Sequence, residues 1–110
     1  MDTITKILEN CDTNISEQAL LFWKALIEKY PLILLPKVYT GDKIRQCISF
    51  EWTLEYDHHT DRVISYIFAN SAGNVFMSFM DFDKGNTEFQ LPNQLNESVN
   101  CVSKRLDLTE

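Results

Sequence analysis

The apolar positions of this chain change period partway along. Up to Pro31 they recur at helical spacing, and from Cys47 to Leu91 they alternate. Ile4, Ile7 and Leu8 make a short first stripe. The segment "NISEQALLFWKALIEKYP" then gives a longer helix. Asn14 is placed to cap it, with Glu17 three residues on as the return partner of a capping box. Pro31 ends it, because the residue before a proline is pushed out of helical geometry. At roughly 100° per residue, Ile15, Ala19, Leu20, Phe22, Trp23, Leu26, Ile27 and Tyr30 share one side, while Glu17, Gln18, Lys24, Glu28 and Lys29 fall on the other. So wide an apolar arc predicts a helix lying flat on a sheet. Leu21 stands among the polar positions, either under the first helix or exposed.

Residues 32–46 read as a connector with a turn at Thr40-Gly41-Asp42. Val38 and Tyr39 are expected to form a short strand pairing back on Ile44. In "CISFEWTLEY", Ile48, Phe50, Trp52, Leu54 and Tyr56 point one way and Ser49, Glu51, Thr53 and Glu55 the other, as in a half-buried antiparallel strand. "RVISYIFAN", "NVFMSFMDF" and "TEFQL" follow, joined by "DHHTD", "NSAG" and "DKGN". These links are turn-forming and too short to hold a crossover helix, so the strands form an up-and-down meander. Leu95, Val99, Val102 and Leu106 then recur at helical spacing, with Lys104 and Arg105 suited to a C-terminal dipole. The expected fold is α+β in one domain, residues 1–110. N-terminal helices pack on a four- to five-stranded antiparallel meander, and a C-terminal helix closes the chain.

Composition narrows the class. The chain has 110 residues, 45% of them hydrophobic, which suits one domain with its own core. No apolar run approaches the roughly 20 residues of a membrane span. "MDTITKILENCD" lacks the basic and apolar regions of a signal peptide, so a cytosolic location is expected. Cys11, Cys47 and Cys101 are odd in number and far apart, and no CxxC occurs. They read as reduced thiols, with Cys47 and Cys101 filling core gaps.

The net charge of −6 is unevenly spread. Residues 1–46 balance. Residues 47–91 set Arg62 and Lys84 against Glu51, Glu55, Asp57, Asp61, Asp81, Asp83 and Glu88, a net of −5. A field of that sign repels nucleic acid and attracts basic partners.

The one stretch that invites a chemical reading is "YDHHTD", which holds both histidines, His58 and His59, between Asp57 and Asp61. Adjacent residues on a strand face opposite ways, whereas useful histidine pairs stand at HxH or four apart on a helix. Cys47 lies at the far end of its strand from His58, which argues against a thiol–imidazole pair. All three glycines fall in turns, with no phosphate-cradling loop. The stretch therefore reads as a hairpin tip and a contact loop. No catalytic residue, metal or cofactor is expected.

What remains is a surface. If Ile48, Phe50 and Trp52 pack on the long helix, Glu51 and Glu55 emerge on the opposite face. Asp57, His58, His59 and Asp61 then stand at one rim, and Asp81, Asp83 and Glu88 near the last turn. These nine residues are the candidate partner-binding set. The later strands are apolar on both parities. Val63, Ile67, Val75, Met77 and Phe79 compete for the core with Ile64, Tyr66, Phe68, Phe76, Met80 and Phe82. Either the sheet is covered on both faces, by the long helix on one and a terminal helix on the other, or an apolar patch is exposed inside the acidic field, as suits a protein-binding surface.

With its helix "ISEQALLFWKALIEKYP", strand "ISFEWTLEY" and hairpin "VISYIFANSAGNVFMSF", the chain resembles bacterial immunity proteins that neutralise contact-dependent toxins. The resemblance covers most of the chain and rests on size, charge and layout. It implies a non-enzymatic inhibitor that binds a basic, nuclease-like toxin domain, with no direct nucleic-acid or membrane binding. Two other classes fit less well. One is a phage anti-restriction or anti-CRISPR inhibitor mimicking nucleic-acid charge, which calls for denser charge. The other is a small enzyme or metal-binding protein using His58 and His59.

Overall fold

A computed structural model of the protein describes residues 3–11, 13–41, 46–56, 60–81, 85–106 and 108, with the backbone alone at 54–56, 60–62, 80–81 and 85–86. The elements run α1 (Thr3–Cys11), α2 (Asn14–Lys29), β1 (Lys37–Thr40), β2 (Cys47–Tyr56), β3 (Thr60–Ser71), β4 (Asn74–Asp81), β5 (Gly85–Leu91) and α3 (Leu95–Arg105). The α+β layout read from the sequence is the one observed, with five strands in the order β1-β2-β3-β4-β5, all antiparallel.

Helix α2 starts one residue earlier than expected. Thr13, in extended geometry, is the N-cap. Its hydroxyl accepts from the Ser16 amide at 3.0 Å, and the Ser16 hydroxyl accepts from the Thr13 amide at 2.8 Å. The reciprocal pair is therefore Thr13–Ser16, not Asn14–Glu17. Two cap-forming residues stand side by side here, and the structure uses the first of them. At the other end Tyr30 is the C-cap and Pro31 follows, as the sequence requires.

Ile15, Ala19, Phe22, Trp23 and Leu26 of α2 are buried against the sheet, and α1 adds Ile4 and Leu8 beside them. The sheet answers with Ile48, Phe50 and Trp52 from β2, Ile64, Tyr66 and Phe68 from β3, and Val75, Met77 and Phe79 from β4. Phe50 is the aromatic centre, with ring centroids 5.1 to 6.1 Å from those of Phe22, Trp23, Trp52 and Phe68. Such tilted and edge-on pairs add to the free energy of burial.

Strand β4 corrects the sequence grouping. Val75, Met77 and Phe79 share the core with Ile64, Tyr66 and Phe68, while Phe76 stands half-buried on the other face. The cause is the β3–β4 turn. Only Ala72 and Gly73 lie between the paired residues Ser71 and Asn74, both with positive φ, 51° and 84°. That two-residue turn sets Phe68 opposite Met77 and so fixes the phase of the whole strand.

Helix α3 joins the same helical layer as α2. Val99 and Val102 enter the one core. The Cys101 sulfur lies 3.6 Å from the Tyr66 hydroxyl, and the Arg105 guanidinium stacks 4.0 Å from the Phe79 ring centroid. The expectation of a sheet covered on both faces is thus overturned. Among the described residues, all three helices lie on one side. Leu21 is exposed rather than tucked under α1.

Strand β1 pairs with β2, Val38 opposite Phe50 and Tyr39 opposite Ser49. Ile44, expected as a partner of Val38 and Tyr39, lies outside the described residues.

Candidate protein-binding face

The side of the sheet away from the described helices is built by strand alternation. With Ile48, Phe50 and Trp52 turned to the helices, Ser49, Glu51 and Thr53 must emerge on the other side. Pairing carries the same side across every strand. Tyr39, Ser49, Ile67, Ser78 and Glu88 are successive register partners and form one row over all five strands. The Ser78 hydroxyl donates to Glu88 Oε1 at 3.4 Å within that row. A second row runs Lys37, Glu51, Ser65, and Thr53 partners Val63 one step further on.

Three large apolar side chains stand in the open here. Tyr39 is 50% exposed, Val63 55% and Ile67 45%. They are not scattered. Tyr39 and Ile67 lie on either side of Ser49, and Val63 and Ile67 flank Ser65 along β3. Phe76 on β4 adds half-buried aromatic surface. An apolar cluster among polar positions on a face without helices is the arrangement expected of a contact surface.

Only some of the nine candidate residues can be placed. Glu51 is half-buried in the centre of this face and Glu88 is exposed on β5. Glu55, four residues beyond Glu51 on β2, is the register partner of Asp61 on β3. They put two carboxylate residues opposite one another at the end of the hairpin. Asp81 falls in step with Val75, Met77 and Phe79, the parity opposite to Ser78, at the end of β4. Asp57, His58, His59 and Asp83 lie outside the described residues. Of the acidic candidates, only Glu51 and Glu88 have described side chains, the first in the centre of the open face and the second on β5.

Sequence reasoning missed Tyr39, Val63 and Ile67 as site residues. Val63 and Ile67 were visible as the off-parity apolar positions of "RVISYIFAN". Tyr39 carried no such signal, because a four-residue strand is too short to show alternation.

The cysteines are free thiols, each half-buried. Cys101 packs against the core as expected. Cys47 does not fill a core gap. With Cys11 and Thr13 it lines a cavity of about 270 Å³ where the helical layer meets Thr40 and Gly41. Among the described residues no group of three or more His, Cys, Asp or Glu is arranged to hold a metal ion, and no helix is long and apolar enough to cross a membrane. Comparison of the chain with protein-family models, with curated proteins and with solved structures returned no match.

Proposed function

We propose that the protein is a non-enzymatic, protein-binding inhibitor, and that its partner is a basic, nuclease-like toxin domain neutralised as immunity proteins neutralise theirs. The observation that carries this reading is the open sheet face, where exposed Tyr39, Val63 and Ile67 surround Glu51 on a side that no described helix covers. Apolar anchors within an acidic field suit a partner with a basic surface. The field speeds encounter, and the anchors hold the complex once water is expelled. Exposed Val63 and Ile67 also favour this reading over mimicry of nucleic-acid charge, since a mimic presents rows of carboxylates where phosphates would lie and apolar side chains do not imitate them.

The test is capture followed by assay. Tagged protein is incubated with extract of its native host and washed at low and at high salt. The retained protein is then identified, purified and assayed for nuclease activity with increasing amounts of this chain. The reading expects one basic domain, released more readily by salt, whose activity falls to zero near equimolar inhibitor. A retained domain that stays fully active, or one that is acidic, would overturn it.

A further inference from the structure

The sheet ends in β1 on one side and β5 on the other, and among the described residues neither pairs with a further strand. A bare edge is a template for another strand, and natural proteins blunt it. β1 carries the usual devices. It has four residues, begins with exposed Lys37 and follows Pro36. β5 has seven residues, with neither proline nor lysine among them, and Glu88 is its only charge.

What stands against β5 is the chain's own next turn. The Gln90 amide donates to Gln94 Oε1 at 2.8 Å, and the Gln94 amide donates to the Gln90 carbonyl at 2.7 Å. An amide has one hydrogen to give. Gln90 therefore turns its backbone groups away from Phe76, its register partner on β4, and toward the edge. Gln94 occupies both the donor and the acceptor that a further strand would use there. It does so instead of capping a helix. Gln94 is the N-cap residue of α3, yet its side chain makes no cap bond. Serine, threonine, aspartate or asparagine would serve that helix better.

Alternation gives the backbone groups of Asn86 and Glu88 the same outward direction as those of Gln90. A second copy pairing antiparallel about Glu88 sets the two Glu88 residues directly opposite each other, and like charges so placed are destabilising. Pairing about Phe89 sets Glu88 opposite Gln90 of the second copy and avoids that repulsion, but it needs the Gln90 groups that Gln94 holds. We infer that Gln94 and Glu88 form an edge guard, a clasp and a charge that together close β5 to strand addition by a second copy and keep the chain monomeric. The guard acts at the edge of the sheet, so it stands whatever the open face binds.

The experiment compares the full chain with Gln94→Ser and with Gln94→Ser combined with Glu88→Val. Gln94→Ser removes the side-chain half of the clasp while giving α3 a better cap, so the melting temperature is expected to hold or rise. At low concentration, amide exchange is expected to quicken roughly fivefold at Gln90, with Phe89 unchanged because its amide lies in the ladder to β4. In sedimentation velocity over a concentration series the parent is expected to stay monomeric. The double variant is expected to form dimers as concentration rises, with the amides of residues 88 and 90 becoming protected in step. A parent that dimerises through β5, a Gln90 amide that exchanges alike in the parent and in Gln94→Ser, or a double variant that is monomeric at every concentration would each overturn the inference.

Discussion

The indole nitrogen of Trp52 donates a hydrogen bond to the carbonyl oxygen of Leu34, 2.8 Å away. With buried Ile33, this bond ties the connector between α2 and β1 to the core. Leu32, by contrast, is 98% exposed, and Leu34 and Leu35 are both more than half exposed. The bond also holds the approach to β1, and so the placement of Tyr39 at the edge of the open face. Trp52→Phe keeps an aromatic ring in the core but removes the donor. The expected loss is about 1–2 kcal/mol of stability by urea unfolding, with faster amide exchange over residues 34–38.

Thr13 and Ser16 cap α2 reciprocally. Thr13→Ala is expected to cost about 1 kcal/mol. Asn14→Ala should cost much less, since the side chain of Asn14 is not the cap. Chemical denaturation of the two variants side by side distinguishes the observed cap from the one the sequence suggested.

Ala72 holds φ at 51° in the β3–β4 turn, a conformation that costs an ordinary L-residue roughly 1 kcal/mol. Asparagine adopts it readily, and Asn-Gly is the preferred pair for this turn. Ala72→Asn is therefore expected to raise stability by up to about 1 kcal/mol, seen as a higher melting temperature. A fall would show that the turn is not of this type.

Ile67 lies at the middle of the five-strand row, between Ser49 and Ser78. It is 45% exposed, so Ile67→Ser should change stability by roughly 0.5 kcal/mol or less. Phe68, one residue on, faces the opposite way and is fully buried. Phe68→Ala should cost about 3–5 kcal/mol. The first substitution is expected to abolish partner capture with the fold intact, and circular dichroism beside the capture assay separates the two effects.

Much of this fold was legible because the periods are strong. The alternation of "CISFEWTLEY" places Phe50 in the core and Glu51 outside, and the structure agrees. The phase of β4 was not legible. Val75 and Phe76 are both apolar, so hydrophobicity alone cannot choose between them. Register decides, and register comes from the backbone of Ala72 and Gly73. The bareness of the outer face was hidden for a related reason. Whether Val63 and Ile67 are covered depends on where α3 docks, and the pattern Leu95, Val99, Val102 says that α3 has an apolar stripe without saying which side of the sheet receives it. Among the described site residues, Glu51 and Glu88 were readable from the charge pattern and Val63 and Ile67 from parity, whereas the place of Tyr39 beside them emerged only once the strands were paired.

The most direct measurement is amide hydrogen exchange on the chain, free and bound to the basic domain it captures. Protection is expected over residues 37–40, 47–53 and 63–67, with α1 and α3 unchanged. Protection confined to the helical layer, with the β2 and β3 amides exchanging as in the free protein, would contradict the assignment of the open sheet face as the binding surface.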